Sequence, residues 1–95
     1  MRDFVELLKR LKGKRVRIHF YIPAEAASVT EEGVMAHLAR IIDVEGTILK
    51  MDNRGEPAER EVGALETYLN LEAVVIWAVE LVGEDYQPRE DEADS

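Results

Sequence analysis

Arg15-Val16-Arg17-Ile18-His19-Phe20-Tyr21-Ile22 alternates apolar and polar side chains without a break. Val16, Ile18, Phe20 and Ile22 fall on one face and Arg15, Arg17, His19 and Tyr21 on the other, the period-two pattern of a half-buried strand. Pro23, which has no N–H to donate, ends that ladder. Upstream the period changes. Phe4, Leu8 and Leu11 keep helical spacing, widened by Val5 and Leu7, and predict an amphipathic helix over residues 3–12. Asp3 with Glu6 three positions later forms a capping-box pattern, and Gly13 supplies a C-terminal stop. So short a helix is marginal alone and must dock on the rest of the chain.

Downstream, Pro23 to Gly33 reads as a loop of small and acidic residues with a helical turn around Ala24 to Ala27. A second strand runs from Val34 to about Asp43; its alternation breaks at Ile41-Ile42, the mark of a bulge or bend. Glu45-Gly46 offers a turn, Thr47 to Met51 a third strand, and Asp52-Asn53-Arg54-Gly55 a strong turn before Pro57. A fourth strand fits within Arg60 to Leu69, Asn70 to Ala73 makes a tight connection, and Val74 to Val82 is the fifth. In the fifth, Val75, Trp77, Val79 and Leu81 share one face, with Trp77 assigned to the core, and Val74, Ile76 and Ala78 the other. Residues 1–83 then form one mostly β domain with an N-terminal α-helix: a small, strongly bent five-stranded barrel, since strands this short bury their apolar faces best by curling. Residues 84–95, six acids against Arg89, are expected to be a disordered acidic tail.

Charge is polarised along this layout. The first twenty residues hold seven of the twelve cations against two acids, a net of +5; the remainder carries −13, giving −8 overall. With 46% apolar and 34% charged residues the composition is that of a folded soluble chain. The absence of cysteine excludes disulfides and thiolate chemistry. The longest apolar run, Ala73 to Val79, is too short for a membrane helix, and no signal-peptide layout is present, so the expected location is cytoplasmic.

The order of elements resembles the Sm-like family, which includes the bacterial Hfq proteins. The resemblance covers roughly residues 3–82, with local similarity in Gly13-Lys14-Arg15-Val16-Arg17-Ile18, in Gly33 through Leu38 to Asp43, and in Leu69-Asn70-Leu71-Glu72-Ala73-Val74-Val75. It implies a five-stranded SH3-type barrel, subunits joined into a ring by the fourth and fifth strands, and RNA as ligand. The family's base pocket is altered. If Asp43 is the family's aspartate, Glu45 occupies the stacking position and Thr47 the asparagine position. Asn70-Leu71 lies near the family's Arg-Gly, and Tyr68-Leu69 near the Lys-His of Hfq. A glutamate offers a base no π surface. The loop after the first strand is also longer than the family's tight turn.

Two function classes follow. Lys9, Arg10, Lys12, Lys14, Arg15 and Arg17, with His19 and Tyr21, form a candidate nucleic-acid-binding face, with the cations neutralising phosphates and the rings able to stack. The alternative reads these as solvated charges on a structural or protein-interaction module that has lost RNA binding, and the net acidity favours it. The fifth strand, apolar on both faces, makes Val74, Ile76 and Ala78 the candidate subunit interface of a homo-oligomeric ring. His19 and His37 share no ligand spacing, so no metal site is expected. No phosphate-binding loop or nucleophile constellation appears, and neither an enzyme nor a cofactor is expected. The acidic tail has two readings: a solubilising extension, or a segment that folds back on the basic face.

Overall fold

The computed structural model describes residues 2–23 and 34–88. The loop after the first strand, with the helical turn expected in it, and residues 89–95 of the acidic tail lie outside the described residues, as does the capping role of the Asp3 side chain. Helix α1 spans Arg2–Arg10, and strands β1 (Arg15–Tyr21), β2 (Val34–Glu45) and β3 (Ile48–Asp52) follow. A short helix α2 (Pro57–Val62) precedes β4 (Glu66–Asn70) and β5 (Val75–Leu81). The five strands form one antiparallel sheet in the order β4-β3-β2-β1-β5.

Strand β1, between β2 and β5, is half-buried as its alternation predicts: Val16, Ile18 and Phe20 are buried in the core. Strand β2 changes partner along its length. Residues 34–40 pair with β1 and 40–45 with β3, and the register shifts between Ile41 and Asp43 where the alternation breaks. Helix α1 docks as its length demands: Leu8 is fully buried, with Phe4, Val5 and Leu11 packed against the core. Removing one leucine side chain from water contributes about 1.5–3 kcal/mol.

Two elements depart from the sequence reading. The first is α2, where only a turn was expected. Pro57 opens it with a φ already suited to a first helical turn. Gly63, at φ 72°, closes it in the left-handed region, its N–H donating to the Glu59 carbonyl and the Ala64 N–H to that of Ala58. The second is β5. A register shift between His19 and Phe20 pairs Phe20 with Ile76 and His19 with Ala78, so Trp77 is the extra, bulged residue. The bulge exchanges the faces of the strand. Trp77, assigned to the core by alternation, is instead 54% exposed, while Val74 and Ile76 are buried. No helix among the described residues is long and apolar enough to cross a membrane.

Candidate functional site

The basic segment divides into two groups. Lys9 and Arg10 close the last turn of α1, and Lys12 and Lys14 flank Gly13 in the turn that follows. These four side chains are exposed around the helix C-terminus, where the helix dipole favours cations. Acids are close even here: Glu6 lies 4.0 Å from the Lys9 ammonium and Asp43 3.7 Å from that of Lys12.

The strand-borne cations turn inward. Arg15, expected on the polar face, is 6% exposed. Its Nε and Nη2 donate to the two carboxylate oxygens of Glu56 at 2.6 and 2.8 Å, a bidentate pair that holds the guanidinium charged and raises its pKa. Its Nη1 donates to the carbonyls of Gly83 (2.9 Å) and Tyr86 (2.8 Å), with that of Glu84 farther off at 3.4 Å. A side chain so enclosed cannot serve as a surface phosphate contact, and its place in the candidate face is corrected. Glu56, which immediately precedes α2, and the chain just after β5 together cover it.

Arg17 and His19 share Glu80. His19 Nε2 lies 2.7 Å from Glu80 Oε1, and Arg17 Nη1 donates to the same oxygen at 3.3 Å. The hydrogen bond with His19, and then that from Arg17, lower the Glu80 pKa. The His19 ring is tilted against Trp77 with centroids 5.0 Å apart. Tyr21 is half-buried at the end of β1. Of the eight candidate residues, the four around the end of α1 therefore remain on an open surface, while Arg15, Arg17 and His19 are engaged by Glu56 and Glu80.

The start of the acidic tail is also placed. Tyr86 packs against two guanidiniums: its ring centroid is 5.2 Å from the Arg17 carbon and 5.8 Å from that of Arg15, and its hydroxyl accepts from Arg17 Nη2 at 2.9 Å. Glu84 forms a two-point ion pair with Arg40, which keeps its carboxyl below the usual range. Glu84 and Tyr86, expected in a disordered tail, thus lie against the arginines of β1 and β2.

The β2–β3 and β4–β5 turns meet in space: the Leu71 N–H donates to the Thr47 carbonyl at 2.8 Å. The side chains there are acidic or small: Glu45, paired with Lys50, beside Thr47 and Asn70, all exposed. Neither turn carries an aromatic residue at its tip.

Of the residues expected at a subunit interface, two are buried within the chain. Val74 and Ile76 belong to the chain's own core, and Ala78 is half-buried opposite His19. The exposed apolar groups on the edge strands are Trp77 and Leu81 (64% exposed) of β5 and Tyr68 (60%) of β4, with Leu65 just before β4. Sequence reasoning missed this set, because the bulge that exposes Trp77 lies in the pairing of β5 with β1 and not in β5 itself.

A second polar cluster supports the sheet from within. Asn53 is fully buried, its amide donating to Thr67 Oγ1 at 2.7 Å and its Oδ1 2.9 Å from His37 Nε2. Burial lowers the His37 pKa, the bond to Asn53 opposing that shift only in part. The folded state therefore favours neutral imidazole. Its contribution is complete above the ordinary imidazole range, about pH 6.5, and is lost as pH falls below it. Denaturant midpoints should decline between about pH 7 and 5, above the range where the carboxylates titrate. His37→Gln should flatten that decline, and an unchanged slope in the variant would show that His37 is not its source. Among the described residues, no three His, Asp or Glu side chains gather as metal ligands.

Comparisons of the chain with protein-family models, curated proteins and solved structures gave no match.

Proposed function

We propose that this chain is a non-catalytic Sm-like module, a small bent barrel that joins edge-to-edge into a homo-oligomeric ring and binds RNA on its helix-bearing face. One observation carries the assembly: β4 and β5 are the two sheet edges, and both present large exposed apolar side chains. An edge strand offers unpaired N–H and C=O groups, and pairing β4 of one copy with β5 of the next satisfies both rows. The Sm-like reading is further supported by the helix-first element order, the partner change along β2, and the meeting of the two pocket turns.

RNA binding in this reading rests on Lys9, Arg10, Lys12 and Lys14. It is electrostatic and nearly indifferent to base, because Glu45 and Thr47 stand where a base would stack. Oligo-A and oligo-U should bind alike and weaken steeply with salt. Reversing Lys12 and Lys14 to glutamate should reduce the slope of log affinity against log salt by about 0.7 for each phosphate no longer neutralised. A flat salt response, or unchanged binding by the reversed variant, would remove RNA from the proposal while leaving the assembly.

The second reading, a structural or protein-interaction module without RNA, is favoured by the capture of Arg15, Arg17 and His19 by Glu56 and Glu80. The two arginines neutralise the chain's own acids, as structural charges do.

A further inference from the structure

Arg15, Arg17 and Arg40 form a cradle on neighbouring strands, Arg15 and Arg40 being register partners. Its resident occupant is the strap of residues 83–88. The interactions are those of peptide recognition. The Arg15 guanidinium, fixed by Glu56, directs Nη1 at main-chain carbonyls of Gly83 and Tyr86. Arg17 lies over an aromatic ring and donates to its hydroxyl. Arg40 grips a carboxylate two residues earlier. Carbonyl, carboxylate and ring are thus read at Gly83, Glu84 and Tyr86, three points along one short segment. A guanidinium held by a carboxylate is pre-organised, so little freedom is lost when a segment docks.

Within the strap itself the Tyr86 N–H donates to the Gly83 carbonyl at 3.2 Å, closing a single turn. Glu84 and Asp85 are exposed, and the strap forms neither helix nor strand. The contacts described for the strap's polar groups are with the three arginines and not within secondary structure of its own, so the same arginines can receive a matching segment when the strap leaves.

We propose that this cradle is a peptide-binding site for an acidic segment of the form acid-x-aromatic on another protein chain, and that the strap is its tethered competitor. A tether holds a competing segment at an effective concentration on the order of millimolar. Wild-type protein must therefore bind a free peptide far more weakly than a chain whose strap no longer fits. The proposal goes beyond the ring and does not depend on RNA binding.

The test uses the full chain and a fluorescein-labelled peptide with the sequence of residues 83–88, Gly-Glu-Asp-Tyr-Gln-Pro, followed by anisotropy. The double variant Glu84→Gln/Tyr86→Ala, which leaves Arg15 and Glu56 intact, should bind the peptide about tenfold or more tighter than wild type. Adding Arg17→Glu and Arg40→Glu to that variant should abolish binding, as should replacing the peptide's tyrosine with alanine. Circular dichroism of each variant separates loss of binding from loss of fold. Equal binding by wild type and the vacated variant, or binding indifferent to Arg17 and Arg40, would overturn the proposal. Oligo-U binding by the vacated cradle with no peptide binding would also overturn it and assign the site to RNA.

Discussion

Glu56→Ala is expected to destabilise the fold by about 3–5 kcal/mol, the range for removing one partner of a buried ion pair. The substitution leaves the Arg15 guanidinium enclosed without its counter-charge, and two of its donors, now on 2.6 and 2.8 Å bonds, lose their acceptors. A domain of this size is stable by only about 5–15 kcal/mol, so the variant should sit near the edge of folding. Denaturant unfolding followed by far-ultraviolet circular dichroism measures the loss directly. Arg15→Met/Glu56→Leu, which removes both charges, should recover most of it, because the penalty lies in the orphaned charge. A loss below about 1 kcal/mol for Glu56→Ala would mean that the pair behaves like an exposed one.

The second large effect concerns the edges. Trp77→Glu/Leu81→Glu should convert an assembled protein to monomers. Both side chains are more than half exposed in the isolated chain, with Trp77 resting on His19, so the substitutions should lower monomer stability by only about 1–2 kcal/mol. Their larger cost falls on association: an aromatic at the centre of an interface is worth about 2 kcal/mol or more, and a buried unpaired carboxylate adds to the penalty. Sedimentation velocity at matched concentrations separates the outcomes. An unchanged sedimentation coefficient with an intact fold would place the interface elsewhere, and Tyr68→Glu on β4 would then show whether either edge is used.

The limits of sequence reading here have physical causes. The alternation over Val16, Ile18 and Phe20 identified the buried face of β1, because a half-buried strand writes its burial into its own side chains. The break at Ile41-Ile42 likewise marked the register shift in β2. Trp77 was misassigned because the shift that exposes it arises in pairing with His19 and Phe20, and nothing within β5 encodes it. Helix α2 was hidden by turn signals before Pro57, although proline at its start and Gly63 at its end were legible. The cationic face was overread for a different reason. Arg15 is covered by Glu56, 41 residues away, and by Tyr86, 71 residues away, and local patterning carries no trace of such partners. Lys9, Arg10, Lys12 and Lys14 kept their expected exposure because the end of a short docked helix has little to cover it.

Native mass spectrometry of the full chain at high micromolar concentration, with and without oligo-A and oligo-U, tests the central proposal most directly. A ring built through β4 and β5 predicts one discrete multiple of the subunit mass, to which either oligonucleotide adds at low salt. A monomer under all conditions would contradict it.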